Sequence, residues 1–68
     1  MRDTELAYAK TFSGESGAMV ISHLRKITIE SVLGPNATDA ELRATEGARA
    51  LVHQIESLIL WGRENAKT

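Results

Sequence analysis

The chain has no cysteine, a single proline and three aromatic residues among its 68. Without cysteine there are no disulfides, no thiolate metal site and no cysteine nucleophile. With Tyr8, Phe12 and Trp61 as the whole aromatic set, any core must be aliphatic. Long hydrophobic runs are also missing. Uninterrupted apolar stretches reach four residues, as at Leu6–Ala9, Ala18–Ile21 and Leu58–Trp61, where a membrane span needs about 20. The first residues carry acids and no apolar run, which reads against a signal peptide. Nor is there a surplus of one charge: 8 Lys plus Arg against 9 Asp plus Glu leave a formal −1. Such a balance gives no general pull toward nucleic acid or an anionic membrane.

What is present is a chain 43% hydrophobic, too apolar for a disordered polymer. It is short enough to form one small domain over residues 1–68. A domain this size hides only about 60% of the surface of its unfolded chain. With disulfides excluded, tight helix packing or association with another chain must supply the rest.

The third segment carries the plainest signal. Thr38-Asp39-Ala40-Glu41 is a capping box, a Thr hydroxyl and a Glu carboxylate each serving the other's amide. Leu42, Ala48, Leu51, Val52, Ile55, Leu58 and Ile59 then recur at spacings of mostly three and four, one face of an α-helix. Asp39 and Arg43 stand in the favoured order for an ion pair. Gly62 reads as the stop, with Arg63 and Lys67 near the negative end of the helix dipole. A helix over 38–62 is expected to form the spine of the fold. Upstream, Gly34-Pro35-Asn36-Ala37 reads as a turn, and the Asn36-Ala37-Thr38 triplet as loop and cap rather than a glycosylation site.

The second segment opens at Ser13, a good N-cap residue, with Glu15 in the first turn. Met19, Val20, Leu24 and Ile27 are helically spaced. Ile27-Thr28-Ile29 is β-branched and weakens the pattern, while Val32 and Leu33 resume it, so a helix over 13–33 is expected. The first segment, 3–12, groups Leu6, Ala9 and Phe12 with Tyr8 on the flank, and is too short to stand alone. Glu15-to-Val20 faintly echoes Glu46-to-Val52. Gly17 and Gly47 are therefore expected to mark a close approach of helices two and three. The fold class is all-α, three helices.

No catalytic constellation emerges. No Ser sits in a G-x-S-x-G elbow, adjacent Ser22 and His23 point about 100° apart on a helix, and Gly14-Glu-Ser-Gly17 is too short and too acidic to cradle phosphate. His23 and His53 read as boundary histidines, so no metal or cofactor site is expected. His23, Arg25 and Lys26 form the one basic cluster, and are the candidate contacts if the chain is instead a helix-turn-helix-like DNA-binding regulator. The acids of the last helix argue against that alternative. At the end of that helix the apolar band widens: Leu60 and Trp61 fall outside the Ile55, Leu58, Ile59 stripe. Trp is enriched at binding hot spots. Tyr8, Phe12, Leu58, Leu60 and Trp61 are therefore the candidate partner contacts.

Three stretches resemble small helical proteins encoded by tailed phages and prophages: Thr11-Phe12-Ser-Gly-Glu-Ser-Gly17-Ala-Met-Val20, His23-Leu24-Arg25-Lys26-Ile27-Thr28, and Glu46-Gly47-Ala-Arg49-Ala-Leu51-Val52-x-x-Ile55-Glu56. The pattern has a Val-Leu pair where this chain has Val20-Ile21. Genes of this kind lie among head and tail morphogenesis genes. The resemblance implies a non-enzymatic structural or adaptor subunit of the virion, passing through the host cytoplasm during assembly. Its implied partners are other phage structural proteins (capsid, portal or tail components), with many copies per particle. An assembly chaperone absent from the finished particle is the other role it leaves open.

Overall fold

The computed structural model describes residues 2–30 and 32–66. It is all-α, with α1 at Arg2–Thr11, α2 at Gly14–Ile27 and α3 at Asp39–Ala66. At 28 residues α3 is the longest, about 42 Å at 1.5 Å per residue. The capping box that starts it is formed in full. The Glu41 amide donates to Thr38 Oγ1 at 3.1 Å, and the Thr38 amide donates to Glu41 Oε1 at 3.2 Å. Thr38→Ala removes the hydroxyl half of this exchange while keeping the backbone amide that Glu41 accepts from, and is expected to lower stability by about 1 kcal/mol, read as a shift of the urea midpoint.

α3 does not stop at Gly62 but runs on to Ala66. Gly62 is buried within it because α1 crosses there. A Cβ built on Gly62 would meet the Glu5 carbonyl, and would lie 2.7 Å from Ala9 Cβ and 2.8 Å from the Glu5 carbonyl carbon. The glycine is a packing device, not a terminator. Lys67, expected near the helix end, lies outside the described residues. The Asp39–Arg43 pair that the spacing favours is not among the ion pairs formed by the described residues; Glu46–Arg49 is, at 2.9 Å.

α2 is shorter than its sequence pattern suggests, ending at Ile27 rather than 33; position 31 lies outside the described residues. The stop is built from Thr28. Its hydroxyl donates to the Leu24 carbonyl at 2.6 Å, its backbone leaves the helical region (φ −123, ψ −76), and the Glu30 amide returns to the Arg25 carbonyl at 2.9 Å. At the other end Ser13 holds the N-cap position without a side-chain cap bond. Its hydroxyl donates backwards to the Lys10 carbonyl at 2.8 Å, closing α1 instead. Gly14 then takes φ +79, a left-handed conformation that glycine adopts freely.

The two glycines expected to join α2 and α3 do something else. Gly17 is buried against the backbone of Phe12, so it lets α2 start directly over the end of α1. Gly47 has nothing within 4 Å of a built Cβ. The inner face of α2 is also different from the one read. Gly17, Ile21, Leu24, Arg25 and Thr28 turn inward, while Met19, Val20 and Ile27 are exposed.

The Cα envelope measures 48 × 25 × 12 Å. Two stacked helix layers, with axes 8–10 Å apart, would need about 13–15 Å. The shortest extent falls just below that range and well above the roughly 4.6 Å of a single helix backbone, so the molecule is thin without being one helix deep. α3 is central; α1 lies against its C-terminal half, and α2 runs antiparallel along another flank, pairing Arg25 with Glu56 and Thr28 with Arg49. The radius of gyration is 14.3 Å, against about 11 Å for a compact domain of this length. Among the described residues the buried hydrophobic side chains are Val52 (4% exposed) and Ile59 (6%), two turns apart on the inner edge of α3.

Candidate functional site

The five candidate contacts lie in three places. Tyr8 and Phe12, one turn apart on α1, stack with ring centroids 6.4 Å apart and planes 13° off parallel; both are half-buried. Leu58 and Trp61 line an open groove of about 240 Å³ with Gln54, Ser57 and Glu5. Leu58 is half-buried there, and Trp61 is 60% exposed. The ring therefore does not fold down over α1. Leu60 faces another way, into a groove of about 190 Å³ with Ile21, Glu56, Ile59 and Arg63. Consecutive residues of one helix thus border different grooves, as the 100° step per residue requires.

The basic cluster is divided as well. Arg25 turns inward and is half-buried. Its Nη1 donates to both carboxylate oxygens of Glu56, at 2.7 and 2.6 Å, and its Nε lies 3.8 Å from Glu30. The hydrogen bond and attraction to Glu56 hold the guanidinium pKa above its ordinary value, against a lesser opposing effect of burial, with Glu30 adding attraction. Glu56 also draws His53 Nδ1 to 3.7 Å. This charge belongs to the seam between α2 and α3. His23 and Lys26 remain exposed and, with Ala18, Met19 and Ser22, line a shallow depression on the outer face of α2. Among the described residues no three His, Asp or Glu are placed to hold a metal ion, and no described helix is long and apolar enough to cross a membrane.

The grooves beside Trp61 and Leu60 are open and lined by both apolar and charged side chains. A family model of Bbp19-like phage proteins matches residues 8–65. The chain belongs to the Bbp19-like phage protein family. The match takes in α2 and nearly all of α3, with the Tyr8-to-Thr11 end of α1. No curated protein and no solved structure matches the chain.

In this Bbp19-like protein the sequence pattern hides further exposed hydrophobic positions. Met19, Val20, Ile27, Val32, Leu42 and Leu51 are all exposed. Five of them, Met19, Val20, Ile27, Leu42 and Leu51, belong to helically spaced apolar sets that the sequence alone assigns to inner faces. Spacing identifies a shared face but not what lies against it. With so few elements in the chain, several such faces have nothing to meet.

Proposed function

We propose that this Bbp19-like protein is a non-enzymatic structural or adaptor subunit of a tailed-phage virion, docking through apolar helix faces onto other virion proteins. The observation that carries the reading is the inversion of the usual ratio of core to surface. Among the described residues two large aliphatic side chains are buried and eight large hydrophobics are exposed. Exposed apolar surface on this scale in a small protein marks an interaction surface, and an amphipathic helix seated in a groove is a recurring way to cover one. Membership of a phage protein family supplies the setting.

Mass spectrometry of purified particles, from a phage that encodes this chain, tests the reading. The chain is expected in the finished virion in many copies. If it is abundant in infected cells and missing from particles, the role is that of an assembly chaperone and the proposal fails. Trp61→Ala supplies a second test. Because the indole is mostly exposed, the change is expected to leave far-UV circular dichroism intact and stability within about 0.5 kcal/mol. Incorporation of the variant into particles should nevertheless fall.

A further inference from the structure

One edge of α3 carries a seam that is open from Ala40 to Leu51 and that α1 borders, through Glu5, beside Gln54, Leu58 and Trp61. Ala40, Ala44, Gly47, Leu51, Gln54, Leu58 and Trp61 recur at alternating spacings of four and three. That is the period by which one helix lies along another with interlocking side chains. All are exposed except Leu58, which is half-buried. The seam is asymmetric in size. Its N-terminal half is Ala40, Ala44 and Gly47; its C-terminal half contains Leu58 and Trp61.

We propose that the occupant of this seam is a second copy of the chain, its α3 lying antiparallel to the first. Placing Leu51 opposite Gln54 of the other copy also sets Gly47 opposite Leu58 and Ala44 opposite Trp61. These layers pair a small side chain with a large one, or a medium one with a medium one; Ala40 falls at the end, opposite Asn65, which is held by Glu5. A parallel pairing would stack Trp61 on Trp61 and leave Gly47 facing Gly47. The flanking charges agree with the antiparallel register. Arg43 falls opposite Glu64 of the other copy, twice by symmetry, and neither residue makes an ion pair among the described residues. The groove beside Glu5 is where the small half of the partner helix enters, past α1.

The chain exposes 5224 Å², whereas a compact monomer of its mass exposes about 4,200 Å². That excess belongs to the whole extended chain, and a partner covering about 800 Å² of it, the share each side contributes to a standard interface, would bring the exposed surface near that of a compact protein. This rests on the docking reading above only in treating α3 as an interface. Self-association is measured on the purified chain and virion content on particles, so either can fail alone.

Sedimentation of the full chain from low micromolar to several hundred micromolar is expected to show a monomer–dimer equilibrium. Leu51→Glu should abolish the dimer with helicity unchanged, since Leu51 is 57% exposed in the monomer. Arg43→Glu or Glu64→Arg alone should weaken it about tenfold by setting like charges opposite, and the two together should restore it. The absence of native cysteine makes cross-linking clean. Arg43→Cys mixed with Glu64→Cys should give the mixed disulfide dimer, while Gly47→Cys alone should not cross-link to itself. A monomer at every concentration would overturn the proposal. So would a dimer indifferent to Leu51→Glu and to both charge reversals, or efficient self-cross-linking through Gly47→Cys.

Discussion

Gly62→Leu is expected to push α1 off α3 and lower stability by about 2 kcal/mol, the upper end of the about 1–3 kcal/mol cost of forcing extra carbons into a packed contact less the roughly 1 kcal/mol that replacing a helical glycine returns. The basis is the approach of the Glu5 backbone and Ala9 to the position a Cβ would occupy. Because backbone lies on one side of that contact, the neighbour cannot yield by changing a rotamer. For a domain this small, about 4–8 °C of melting temperature follows each kcal/mol, so a drop of about 8–16 °C is expected in thermal unfolding at fixed protein concentration. Amides of α1 should lose protection from exchange before those of α3. Gly47→Ala is the internal control: with nothing near its Cβ, the same kind of change should raise stability by up to about 1 kcal/mol. Equal effects at the two glycines would show that helix propensity, not the crossing, governs Gly62.

Ile59→Ala should be comparably damaging for the opposite reason. Removing a buried Ile side chain costs about 2–5 kcal/mol, and a domain of this length has roughly 3–10 kcal/mol in total. Ile59 and Val52 are the buried hydrophobic side chains among the described residues, so few other contacts remain to hold α1 and α2 in place. Denaturant unfolding is expected to give a midpoint near zero urea, or a chain already partly unfolded. The neighbouring Trp61→Ala, which removes a larger side chain, should change the midpoint far less. If Trp61→Ala proves the more destabilising of the two, the indole belongs to the fold.

These pairs of outcomes also mark where sequence reasoning reached and where it stopped. The Thr38–Glu41 box was legible because its geometry is complete within four residues. The Glu46–Arg49 pair is equally local. The number of helices and the dominance of the last followed from periodicity. The glycines were not legible, because a glycine's role depends on what passes beside it. Gly62 was read as a terminator and is a crossing; Gly17 was assigned to the wrong neighbour. The outward turn of Met19, Val20 and Ile27 was hidden because apolar residues occur on more than one side of α2. Arg25 looked like part of a basic patch until Glu56, 31 residues away, was seen to hold it.

The flatness of the molecule has a mechanical consequence. A slab 12 Å deep in its Cα positions has two broad sides and little interior between them. Pressing a neighbour against one side leaves the other accessible, so a tile of this shape can separate two larger bodies by about its own depth. Removing it would close that gap rather than open a hole.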